Sequence, residues 1–126
     1  MEEALRHYQE ALAIHREVGN RRAEGLVLGD LGALHAQQGR MEEARAALSA
    51  GEALLRAVDD RFDLGKLLCQ RGECERLAGD LPAARAHLAE AESIARELAA
   101  GPDSEIGREI ATLRADLDGA SDVPNE

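Results

Sequence analysis

Aromatic residues are almost missing from this 126-residue chain, which has one Tyr, one Phe and no Trp. Alanine (24) and leucine (18) carry most of the apolar content instead. Both lose little freedom in a helix and neither is favoured on a pleated surface, so the composition argues against a sandwich or barrel. Positive charge is also scarce. Fifteen Lys and Arg face 25 Asp and Glu, a net charge of −10. Such a surface repels phosphate backbones and anionic headgroups, which excludes nucleic acid and membrane surfaces as expected partners. No run approaches the roughly 18 consecutive apolar residues of a spanning helix. The opening residues, Met1-Glu2-Glu3-Ala4-Leu5-Arg6, lack the basic segment and apolar core of a signal peptide. The expected location is therefore cytoplasmic. The basic residues are 14 Arg and one Lys, a bias associated with GC-rich bacterial genomes.

Reactive residues are few. Cys69 and Cys74 are five apart, about 140° around a helix, so they cannot pair within one helix. Five also fits no zinc-knuckle spacing. They are expected to be small buried hydrophobes. His7, His15, His35 and His87 are scattered without close second ligands, so no metal and no cofactor is expected. The adjacent carboxylates Glu2-Glu3 and Glu42-Glu43 open helices, where they favour the macrodipole. No catalytic constellation emerges, and the chain is not expected to be an enzyme.

What is present is a repeat. Written in blocks of 40, residues 1–40, 41–80 and 81–118 fall into register without gaps. Ala4, Ala44 and Ala84 share a column, as do Tyr8, Leu48 and Leu88, then Ile14, Leu54 and Ile94. Gly39, Gly79 and Gly119 share another. Each block reads as two helices with apolar residues every three or four positions. The six spans are about 2–18, 21–38, 41–58, 61–78, 81 to near Gly101-Pro102, and 104–118. Asn20, Asp60 and Asp80 are candidate N-caps. Connections this short force neighbouring helices antiparallel. Residues 119–126 read as a disordered acidic tail.

These residues resemble a tetratricopeptide repeat array. Leu28, Leu31, Gly32, His35, Gly39, Ala44, Leu48 and Gly51 stand at the offsets of that family's motif. Leu68, Arg71, Gly72, Glu75, Gly79, Ala84, Leu88 and Ala91 repeat them. The period is 40 where the family has 34, and Arg71 and Glu75 stand where it prefers apolar residues. The resemblance implies an all-α fold of antiparallel helical hairpins stacked as a right-handed superhelical solenoid. It also implies a scaffold that binds a peptide or helix of a protein partner in a concave groove.

By the resemblance, the first helix of each hairpin lines that groove. Helical spacing then selects Leu26, Asp30, Ala33 and Gln37 on the second helix, and Lys66, Cys69, Gln70, Glu73 and Arg76 on the fourth. Ile106, Glu109, Ile110 and Leu113 on the sixth are also candidates, although their apolar stripe suits packing. The Lys and Asn clamp by which some repeats hold an acidic C-terminal tail is replaced by Gly29, Ala33, Cys69 and Glu73, so no such tail should bind. The sixth helix is charged outside its stripe and reads as a C-terminal cap. The first helix keeps a broad apolar face without its preceding partner. It is expected to end a longer array, in a larger signalling or regulatory protein, or to form a homodimer through residues near Leu5, Tyr8 and Leu12.

Overall fold

The computed structural model describes residues 2–121. Among them it contains six α-helices and no strand: α1 (Glu2–Val18), α2 (Arg21–Gln37), α3 (Met41–Ala57), α4 (Arg61–Leu77), α5 (Leu81–Glu97) and α6 (Glu105–Ser121). Each has 17 residues. The first five end alike. Gly19, Gly39, Asp59, Gly79 and Ala99 all adopt positive φ, at intervals of 20. The next N–H in each case reaches back five residues, as in Asn20 to the His15 carbonyl (2.9 Å) and Ala100 to the Ala95 carbonyl (2.9 Å). This is the Schellman arrangement, which satisfies orphan carbonyls and reverses the chain.

The starts are less uniform. The side chains of Asn20, Asp60 and Asp80 accept hydrogen bonds from the Ala23, Asp63 and Ala83 amides at 3.0–3.1 Å. Arg40 makes no such bond, and Ala100, in the equivalent position, has no acceptor to offer. The fifth helix stops at Glu97, in step with α3 and α4 and earlier than the sequence predicts, and α6 begins only after Ser104, whose hydroxyl accepts from the Gly107 amide at 3.0 Å. This four-residue delay carries α6 through Gly119 to Ser121, beyond the expected end at 118. Gly119 is thus helical, and not the terminator that Gly39 and Gly79 are. The rest of the expected tail, residues 122–126, lies outside the described residues.

Successive helices pack in hairpins, and small residues set how closely. A Cβ on Gly51 would lie 2.9 Å from the Gly25 carbonyl oxygen, so α2 and α3 meet almost backbone to backbone. The main core runs from α2 to α6 around Leu48, Leu55, Leu64, Leu68, Ile94 and Leu117. A smaller cluster of Leu12, Leu28 and Ala47 joins α1 to it. No single hairpin encloses such a core, so stacking is required.

Stacking is lopsided. Helices α2 and α4 touch, as do α4 and α6, whereas α1 and α3, or α3 and α5, nowhere bring Cα atoms within 8 Å. The even helices therefore line the inside of the curve and the odd helices its outside. Ion pairs tie the layers together. Arg22 reaches Asp60 (2.5 Å), Arg45 reaches Glu75 (2.7 Å), and Arg56 bridges from α3 to Glu90 on α5 (2.6 Å). Much of the charge in the sequence thus links different helices.

Candidate functional site

The inner face holds a groove of about 350 Å³ where α2, α4 and α6 converge. Its floor is small and apolar because Ala33, Cys69 and Leu113 point into it. Gln70 and Glu73 from α4 and Glu105, Glu109 and Thr112 from α6 form its walls. A smaller hollow of about 170 Å³ continues along α2 and α4 past Gln70, lined by Leu26, Asp30, Asp63 and Lys66. The chain brings seven of its nine predicted site residues to these two hollows: Leu26, Asp30, Ala33, Lys66, Cys69, Gln70 and Glu73. The other two lie outside both. Gln37 is exposed at the end of α2, and Arg76 turns to Glu73, donating to its Oε1 from Nε at 3.0 Å.

Charge in the groove is mostly self-compensated. Lys66 Nζ lies 2.5 Å from Glu105 Oε1. Burial works against the Lys66 ammonium, but the hydrogen bond and charge of Glu105 outweigh it and hold the pKa above its ordinary value. Gln70 Nε2 donates to Asp30 Oδ1 at 3.1 Å. Arg108 donates to the Asp103 carbonyl at 2.7 Å. Asp63, only 4% exposed, has Arg22 Nη2 at 2.7 Å, yet its Oδ2 accepts no well-aligned hydrogen bond. The contact is real, but its Coulombic part carries it. Burial and the neighbouring Asp60 carboxylate raise the Asp63 pKa.

The thiols are inert by placement. Burial, with a smaller contribution from Glu109 and Glu92, pushes Cys69 up to about 12. Burial likewise raises Cys74. Among the described residues no cluster of His, Cys, Asp and Glu is arranged to hold a metal. His35 is half-buried, with Nδ1 unbonded. His87 is half-buried, and burial and then Arg71 lower its pKa.

Residues 1–57, which span α1, α2 and α3, match the family model of the tetratricopeptide repeat. Over that stretch, a little under half of the chain, the sequence is similar to tetratricopeptide repeats. No curated protein and no solved structure matches it. In α4 and α5 the same hairpin geometry recurs 40 residues later, with its αL turn at Gly79 in place of Gly39. Tetratricopeptide repeats generally mediate protein–protein interaction, and among the described residues no helix is long and apolar enough to cross a membrane.

The α6 wall of the groove was poorly legible in the sequence. Glu105, Arg108 and Thr112 flank the apolar stripe on which the expected α6 candidates centred, and so were not among them. Of the four candidates there, Ile106 and Ile110 are core residues, Leu113 is buried yet forms part of the groove floor, and Glu109 lines the groove wall.

Helix α1 also departs from expectation. Leu12 is buried against α2 and α3, and so is not open to a partner. Leu5 and Tyr8 are half-buried. The exposed apolar residues of α1 are Ile14 (58%) and Val18 (69%), on the outer edge of the same stripe.

Proposed function

We propose that the chain is a protein-interaction module that holds a segment of a partner in the groove across α2, α4 and α6. The supporting observation is the lopsided stacking: even helices in contact, odd helices apart, and a concave surface with an apolar floor and polar walls between them. Such a surface suits a helix or an extended peptide, whose side chains enter the floor while polar groups bond to the walls. The test is affinity capture from lysate of the source organism, with the chain beside a Thr112→Trp variant. Thr112 is exposed at the rim, so the indole blocks the groove without disturbing the core. A partner retained by the parent chain and lost by the variant supports the reading. Equal capture by both contradicts it.

A second reading rests on α1. Its backbone approaches only that of α2, with Leu12 alone reaching the α2–α3 cluster, and it exposes Ile14 and Val18. An apolar edge of this kind suits self-association. Sedimentation equilibrium tests it: a dimer converted to monomer by Ile14→Glu and Val18→Glu supports it, and a monomer at all concentrations excludes it.

A further inference from the structure

Of three cations in or beside the groove, two are in ion pairs and the third bonds to a backbone carbonyl. Lys66 is paired with Glu105, Arg76 with Glu73, and Arg108 with the Asp103 carbonyl. Among the carboxylates, Asp63 has Arg22. Two remain without an ion pair. Asp30 on α2 accepts only the neutral amide of Gln70. Glu109 on α6 is half-buried, and among the described residues no donor bonds to it. Glu109 lines the groove and Asp30 the smaller hollow, and the two hollows share Gln70, to which Asp30 is bonded. Covering either carboxylate with a ligand that supplies no donor would be costly.

We propose that the groove selects a partner segment bearing an arginine or lysine, whose cationic head sits between Asp30 and Glu109 while its aliphatic stem lies over Ala33 and Cys69. The inference rests on the groove-binding reading and names the chemistry of its ligand. An anionic ligand fits worse: Arg108 is held only by a backbone carbonyl, but Glu73, Glu105 and Glu109 surround it in the lining, and Lys66 would have to leave Glu105. An apolar ligand would bury Glu109 further with no compensation. Arginine suits the site best, because its planar fork can donate to two carboxylates at once and is weakly hydrated. The net charge of −10 steers a cationic segment toward the chain from a distance. Burial, opposed by the Lys66 charge and aided by Glu105 and Asp30, keeps Glu109 protonated to higher pH than an ordinary glutamate.

The experiment is selection from a displayed library of random 12-residue peptides, run against the full chain, Glu109→Gln, Asp30→Asn and Thr112→Trp, each checked for native helicity by circular dichroism. Affinities of the enriched peptides are then measured by fluorescence anisotropy. The expected result is enrichment of peptides that share one Arg or Lys, lost on Thr112→Trp and weakened about tenfold or more by Glu109→Gln, as for removal of a charged hydrogen bond. Enriched peptides that depend on Thr112 but carry an acidic residue or no charge overturn the cation assignment and leave the groove reading intact. No enrichment, or enrichment indifferent to Thr112→Trp, overturns both.

Discussion

Arg45 on α3 grips Glu75 on α4 with two hydrogen bonds, Nη2 to Oε1 at 2.7 Å and Nε to Oε2 at 2.9 Å. Glu75 is only 6% exposed. It stands at a position where the repeat prefers an apolar residue, so a bidentate ion pair replaces packing between one hairpin and the next.

The pair sets an order of stabilities. Arg45→Ala leaves a buried carboxylate alone, and should lower the thermal midpoint more than the double change Arg45→Ala with Glu75→Leu, which removes the stranded charge. The Arg45 hydrogen bonds, opposed by burial, hold the Glu75 pKa below its ordinary 4.5. Its contribution is therefore present above that pH and is lost as pH falls through the lower native value. Thermal unfolding across this range should show the gap between the parent chain and Arg45→Ala closing in acid. A constant gap would contradict the pair's role.

The helix ends give opposite expectations for glycines that look alike in the sequence. Gly79 has φ +85°, whereas Gly119 lies inside α6 with open space around it. Gly79→Ala should destabilise by about 1 kcal/mol, the cost of a Cβ in the left-handed region. Gly119→Ala should stabilise by up to about 1 kcal/mol through helix propensity. Ala99 already bears that strain at φ +52°, so Ala99→Gly should stabilise by about 1 kcal/mol. Urea unfolding checks all three. Destabilisation by Gly119→Ala would mean that α6 ends where the 40-residue register puts it.

The thiols should be silent until the chain unfolds. With Cys69 pushed up to about 12 and Cys74 also raised, neither forms much thiolate at pH 8. Ellman's reagent should react far more slowly with the native chain than with the urea-unfolded chain. Rapid reaction of the native chain would place a thiol at the surface.

Much of this architecture was readable beforehand. The shared columns at Ala4, Ala44 and Ala84 gave the hairpins, and the candidate caps Asn20, Asp60 and Asp80 bond as their chemistry demands. The underlying 20-residue period of left-handed turns was hidden, because Asp59 and Ala99 occupy two of its five positions in place of glycine. The start of α6 near 104 was legible, whereas its end was hidden, because Gly119 shares a column with Gly39 and Gly79 yet lies inside the helix. The inner positions of α2 and α4 obey helical spacing and were found, apart from Gln37 and Arg76. Arg76 could not be separated from its neighbours by spacing alone, since its position is decided by the pairing with Glu73.

Glu109 should act in opposite directions on stability and on binding. Burial raises its pKa, with Lys66 opposing and Glu105 and Asp30 adding to the shift. A raised native value means that its contribution is fully present below 4.5 and is lost as pH rises through the native value. Glu109→Gln should therefore match the parent chain in acid and become the more stable of the two toward neutral pH, while binding cationic peptides less well. Urea unfolding at acidic and neutral pH checks the first half. A variant less stable than the parent at neutral pH would show that Glu109 is satisfied in the free chain.

The concave groove itself is tested most directly by a two-dimensional amide NMR titration of the chain with an arginine-bearing peptide from the library selection. Shifts should concentrate on Asp30, Ala33, Gln70, Glu73, Glu109 and Thr112, along α2, α4 and α6. Shifts centred on Ile14 and Val18 of α1, or on the outer faces of α3 and α5, would contradict the account.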